Sequence, residues 1–229
     1  MEFPMAVGNA CLPKYIALLL SLLLLAACKN DPLDGTNDPK GDAWSLTFHG
    51  PSYMQGWVEG TAVEDINDRT ITKPGTGSIG SGDPGLDQEY ARGWPGLAGN
   101  YYPMTGADMP KRVFVRWQSI VEQKTYKRWV DIPVYAREIM RGSTARRCPD
   151  WPDHEATYSA AMRIGLAPGG VIRVWVENNC GANILVARAQ ADIEPLGPSQ
   201  GLNQGRYAYP ISEPSKRYIE RYGIPYGSW

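Results

Sequence analysis

Phenylalanine is nearly missing from this chain, with three residues against eight tryptophans and thirteen tyrosines. The aromatics present are mostly those with a polar handle, a bias shared by binding interfaces. Histidine is scarcer still, His49 and His154 alone, so imidazole-rich metal centres are excluded; a zinc ion takes about four ligands. Neither sign of charge is in excess, with 23 basic and 24 acidic side chains and a formal charge of -1. That excludes the basic footprint expected of a nucleic-acid binder. Only one long apolar run occurs, Tyr15 to Ala26, so a second membrane-crossing segment is excluded as well.

That single run follows Lys14 and ends two residues before Cys28. A helix over it would be about 18 Å long against a bilayer core of ~30 Å, too short to span and right for a signal peptide. Leu25-Ala26-Ala27-Cys28 resembles the bacterial lipobox, an aliphatic residue and two small ones before a cysteine that carries lipid. The expectation is a signal peptide over 1–27 with translation starting at Met1 or Met5, lipid attachment at Cys28, and a periplasmic protein anchored by lipid. Lys29 after the cysteine, in place of Asp, favours the outer membrane. A triacylated cysteine holds far better than a single chain. An ordinary signal peptide that happens to end in cysteine is the alternative.

With Cys11 and Cys28 set aside, Cys148 and Cys180 remain. Two leftover cysteines in an oxidising compartment pair, and such a loop of about thirty residues contributes about 3–4 kcal/mol in the chain-entropy model. A metal site is the rival use for them, joined by His49 and His154.

Residues 28–43 are polar and turn-rich, the composition of a tether. Residues 44–229 form one globular domain. Trp44 to Phe48 and Tyr53 to Val58 suggest a pair of strands about His49-Gly50-Pro51. From Gly60 to Met109 the chain is crowded with Gly, Pro, Asp and Ser, which suggests a long loop carrying Trp94, Tyr101 and Tyr102. Val113, Val115 and Trp117 alternate with Phe114 and Arg116, the period of a strand; a second strand follows from Thr125 to Val130. Asp131 is a candidate N-cap for a short helix reaching Met140. Ala167-Pro168-Gly169-Gly170 joins two strands as a hairpin turn. A further strand covers Ile184 to Ile193, a loose connection Pro195–Pro210, and a last helix, capped by Ser212, ends before Gly223. The fold class is α+β and β-rich, a single domain of mainly antiparallel strands with short helices.

Little catalytic chemistry is expected. Gly75 to Gly80 matches GxGxxG but lacks the strand before and helix after that a dinucleotide site needs. His154-Glu155 begins a zincin motif whose second histidine is replaced by Tyr158. Glu64, Asp65, Asn67 and Asp68 lack calcium-loop spacing, since Arg69 stands at the third ligand position. Neither a GxSxG nucleophile elbow nor an SxxK pair is expected. The chain is therefore expected not to be an enzyme, with no catalytic residues, no metal and no cofactor. Trp117, Trp129 and Trp175 are assigned to the core; Trp94, Tyr101 and Tyr102 are the candidate partner-binding residues.

Three stretches, Val113–Tyr126 (VFVRWQSIVEQKTY), Ile164–Trp175 (IGLAPGGVIRVW) and Gly223–Trp229 (GIPYGSW), resemble a family of bacterial lipoproteins known only by a domain of unknown function. Its members are often encoded near type VI secretion effectors, particularly antibacterial lipases. The resemblance covers nearly the whole mature chain and implies an immunity protein whose partner is a protein toxin, a phospholipase above all. An envelope structural or glycan-binding lipoprotein is the alternative.

Overall fold

A computed structural model describes residue 38 and residues 43–97 and 101–229. The leader, Cys28 and most of the 28–43 tether therefore lie outside the described residues.

Strands β1 (Ser45–His49), β2 (Gly56–Asp65), β3 (Thr70–Ile79), β4 (Tyr102–Pro103), β5 (Pro110–Ser119) and β6 (Lys124–Asp131) precede helix α1 (Val134–Arg141). Then come β7 (Arg147–Cys148), β8 (Trp151–Glu155), β9 (Ala161–Ala167), β10 (Val171–Glu177), β11 (Asn183–Gln190), β12 (Asp192–Ile193) and helix α2 (Glu213–Tyr222). One sheet runs β11-β10-β9-β1-β4, the other β12-β6-β5-β2-β3, and β7-β8 form a separate ribbon. All pairings are antiparallel except β1 with β9. The domain is thus mostly β, with antiparallel sheets predominating.

The core lies between the two sheets. Leu46, Ile164, Leu166, Ile172, Val174 and Val176 of the first meet Val58, Val63, Val113, Val115, Trp117 and Val130 of the second in one buried cluster. In β5 this follows from alternation: Val113, Val115 and Trp117 point inward, while Arg112, Phe114 and Arg116 face out. Trp117 takes its expected place in the core, but Trp129 and Trp175 are only half buried and sit on outer faces. Trp129 lies against Phe114 and beneath the Arg112 guanidinium, whose carbon is 4.5 Å from the ring centroid.

The hairpin at Pro168–Gly170 forms as expected, with φ of 79° at Gly169 and 76° at Gly170. Other expectations are corrected. The strands about His49-Gly50-Pro51 do not pair, because β1 and β2 belong to different sheets. The stretch from Gly60 to Met109 is not one long loop. Its first two fifths continue β2 and return as β3, closed by a turn with Asp68 at φ 58°. The glycine-rich Gly75–Gly80 loop accordingly runs along β3. Asp131 ends β6 rather than capping α1; Pro133 is the N-cap, with no side-chain hydrogen bond. The Ile184–Ile193 strand is split at buried Ala191, β11 serving the first sheet and β12 the second. The connection from Pro195 to Pro210 is fastened rather than loose: Glu59 accepts from the Ser199 backbone, Gln118 from the Ala208 backbone, and Tyr209 donates to the Gly56 carbonyl. Ser212 caps α2 by accepting from the Ser215 N–H, and Gly223 stops it at φ 72°.

Cys148 and Cys180 form a disulfide with a Cα–Cα distance of 5.5 Å, 32 residues apart in sequence. It ties β7 to the loop that leaves β10.

Candidate functional site

The outer face of the first sheet is not an ordinary solvated surface. Register aligns Thr47 with Arg163 and Trp175, and His49 with Gly165 and Arg173. Arg163 and His49 are polar residues in the middle of a sheet, yet both are buried. Leu97 and Tyr101 lie over Arg163, and Trp94 lies over Gly165, the register neighbour of His49.

Arg163 organises this face. Its guanidinium pairs with Glu177, donates to the Leu97 carbonyl, and donates to the Tyr101 hydroxyl at 2.5 Å. The same guanidinium stacks on the Tyr101 ring, 5.1 Å from its centroid. Ser159 donates to the other Glu177 oxygen at 2.9 Å. Gly165 lets the cover approach: a Cβ there would lie 2.6 Å from the Trp94 ring and 2.9 Å from Trp175. The two indoles meet edge to face at 5.4 Å.

On the far side of Glu177 opens a cleft of about 430 Å³, lined by Glu177, the Cys148–Cys180 disulfide, Trp151, His154 and Glu155 among others. Trp151 and its neighbours on β8 are exposed along the whole strand, Trp151 itself by 60%. Glu177 therefore has one side against the buried Arg163 and the other toward an open, disulfide-bordered cleft.

The expected binding residues separate accordingly. Tyr101 is half exposed beside this face and rigidly held. Trp94 is half buried against Trp175 and serves as the cover's own packing. Tyr102 follows Tyr101 in sequence and borders a different cavity, between the sheets. Trp151 was not among the expected residues. A tryptophan between prolines and acidic residues, inside a disulfide loop, was the signal that marks it.

Burial, with the Arg163 charge second, pulls the His49 imidazole from its ordinary 6.5 down to about 4. Its ring also shares a 3.0 Å hydrogen bond with Thr47. The unfolded chain takes up this proton near pH 6.5 and the folded chain only near 4. Stability is therefore full above 6.5 and declines as pH falls toward 4. His49→Gln should flatten that limb in urea midpoints taken across the window; an unchanged slope would assign it to other groups.

One serine pattern escapes the sequence expectation, since Gly197-Pro198-Ser199-Gln200-Gly201 has the GxSxG spacing. It sits in a 3-10 turn with Ser199 and Gln200 at φ 50° and 54°, not on a strand-to-helix elbow. The Ser199 hydroxyl accepts from Asn203 and its N–H donates to Glu59. The acidic residues at the β2–β3 turn are likewise engaged. Asp65 accepts from Arg69 and from three backbone N–H groups, Glu64 pairs with Arg112, and Asp68 with Lys111.

The three stretches quoted for the family resemblance converge on one buried carboxylate. Glu122 accepts from the Tyr126 and Tyr226 hydroxyls and from the Gly169 N–H, while the Trp229 indole donates to the Pro168 carbonyl. Burial, followed by the bond to this carboxylate, pushes the Tyr226 hydroxyl up to about 12. These stretches are thus a structural joint of strand, turn and C-terminus. Residues 29–227 match a family model described as a protein of unknown function, DUF2931. No curated protein and no solved structure matches the chain.

Proposed function

The chain belongs to the DUF2931 family, and from that premise we propose a lipid-anchored immunity protein of the periplasm. It is held at the outer membrane through Cys28, and it binds and neutralises a protein toxin delivered by type VI secretion. A phospholipase toxin suits a lipid-tethered inhibitor, because the tether concentrates the inhibitor on the surface under attack.

The observation that carries this reading is the stapled ribbon. Binding energy concentrates in a few aromatic or arginine anchors, and rigid anchors lose least entropy on association. Trp151 is such an anchor, 60% exposed on a ribbon that the Cys148–Cys180 disulfide pins to the domain. Tyr101, fixed by Arg163 on the adjoining face, is a second. An indole above a cleft bearing Glu155 and Glu177 also suits a sugar ring, which supports the alternative of a glycan-binding envelope lipoprotein.

The test is co-expression with the effector encoded beside it, in susceptible cells, together with calorimetry on the purified pair. Protection and a tight complex are expected, and Cys28→Ala should abolish fatty-acid labelling and weaken protection. Trp151→Ala should cost about 2 kcal/mol or more in binding while the melting temperature stays nearly unchanged. Tyr101→Ala should weaken binding less, because its hydroxyl also serves Arg163. Failure to protect, with tight binding of muropeptides or other envelope glycans, would replace this reading by the alternative.

A further inference from the structure

A second site lies at the opposite edge of the first sheet. Between β1, β3 and β4 the two sheets part to enclose a cavity of about 140 Å³, lined by Leu46, Lys73, Thr76, Tyr102 and Met104 among others. Most of this lining is hydrocarbon. Two polar groups in it need an explanation.

The first is Thr76. Val58 pairs with Gly77 and Gly60 with Pro74, so Gly75 and Thr76 together oppose Glu59 in a bulge of β3. Only glycine fits at position 75, where a Cβ would fall 1.9 Å from the Val58 carbonyl oxygen. Bulges on edge strands re-aim side chains. Here the Thr76 hydroxyl is buried with no hydrogen-bond partner, and such a group costs free energy unless something satisfies it.

The second is Lys73. It pairs in register with Thr61, itself across from the inward-facing Val115, so Lys73 lies on the inter-sheet side of an edge strand. It is half buried, and among the described residues it has neither an ion pair nor a hydrogen bond. Nearly every other lysine on these sheets has a carboxylate partner: Lys111 meets Asp68, Lys124 meets Glu122, and Lys127 meets Glu194.

An apolar chamber walled in part by a lysine and a threonine whose ammonium and hydroxyl are both unpaired matches one chemistry. We infer that this cavity binds a carboxylate with a short aliphatic body, such as the end of a fatty acid. The Lys73 ammonium pairs with the carboxylate, the Thr76 hydroxyl donates to it, and the methylenes lie among Leu46, Pro103, Met104 and the Tyr102 ring. A cavity near 150 Å³ is about filled by a six-carbon ligand, so hexanoate is the appropriate probe. This site is independent of the toxin-binding face and does not rest on the function proposed above.

The experiment titrates the mature chain, residues 28–229 with Cys28→Ser, with sodium hexanoate, hexan-1-ol and hexylamine. Methyl and amide chemical shifts of Leu46 and Met104 report occupancy. Hexanoate is expected to bind about tenfold more tightly than hexan-1-ol, the increment of a charge-assisted hydrogen bond, and hexylamine more weakly than either. Lys73→Met should erase the preference for acid over alcohol while both still enter, and Thr76→Val should weaken hexanoate severalfold. Equal affinity of the wild-type chain for acid and alcohol would overturn the proposal. So would an acid preference that survives Lys73→Met, or no shift with any probe; Lys73 would then only guard the sheet edge against pairing.

Discussion

Arg163→Ala is expected to lower the free energy of unfolding by about 3–5 kcal/mol, the cost of leaving one member of a buried ion pair without its partner. The Arg163 side chain is 7% exposed and that of Glu177 is 13%, so water cannot replace the lost charge. The Leu97 carbonyl and the Tyr101 hydroxyl lose their donor in the same stroke. Urea unfolding at neutral pH measures this, with an unchanged denaturant slope showing that the folded and unfolded states keep their compactness. Arg163→Met combined with Glu177→Leu should recover much of the loss, because apolar replacement of both partners removes the unpaired charge. A single substitution that costs under about 1 kcal/mol would mean the pair behaves as a surface salt bridge.

Replacing both Cys148 and Cys180 by serine should cost about 3–4 kcal/mol, the chain entropy returned to the unfolded state by opening a loop of this length. The 32-residue separation is long enough for that effect to exceed local strain at the bridge. A local consequence accompanies the global one. The β7–β8 ribbon buries almost none of its own side chains, so without the bridge its amide protons should exchange much faster than those of β9 or β10. The binding proposed for Trp151 should weaken in parallel, although neither cysteine need touch the partner. If reductant leaves both the urea midpoint and ribbon exchange unchanged, the ribbon is held by other contacts and the disulfide is incidental.

The parts of this fold that could be read from the sequence are those whose signals are local. Val113, Val115 and Trp117 alternate over a few residues, and Pro168-Gly169-Gly170 supplies the φ values its turn needs. β3 could not be recognised in the same way. Pro74, Gly75 and Gly77 are poor strand formers, tolerated here because the strand lies at an edge and carries a bulge. The parallel pairing of β1 with β9 brings together segments more than a hundred residues apart, and no local pattern encodes such a partner. The same limit governed the candidate site. The disulfide followed from counting cysteines, and Tyr101 from its loop composition. The inward turn of Trp94 depends on Gly165 leaving room for it, and the burial of Arg163 on Glu177 across the strand pair. The GxSxG spacing at Ser199 makes the converse point, since the pattern is present without the strand and helix that give it meaning.

Asp38 accepts a hydrogen bond from the Thr144 N–H at 2.6 Å, beside the loop between α1 and β7. The Thr144 and Ser143 hydroxyls hold its carboxyl below the usual range. Under the proposed lipid attachment at Cys28, this clasp would set the length of the leash. About ten residues then lie between lipid and body, a reach of at most ~35 Å, where a release at Ala43 would allow ~50 Å. The clasp also marks where that tether would meet the body. The loop at Thr144 adjoins Asn179, which donates to the Ser143 carbonyl and neighbours Cys180, so under the proposed anchoring the tether would join the body beside the cleft and its tryptophan ribbon. On the proposed reading, a toxin working at the lipid surface would find that cleft close to where the tether meets the domain.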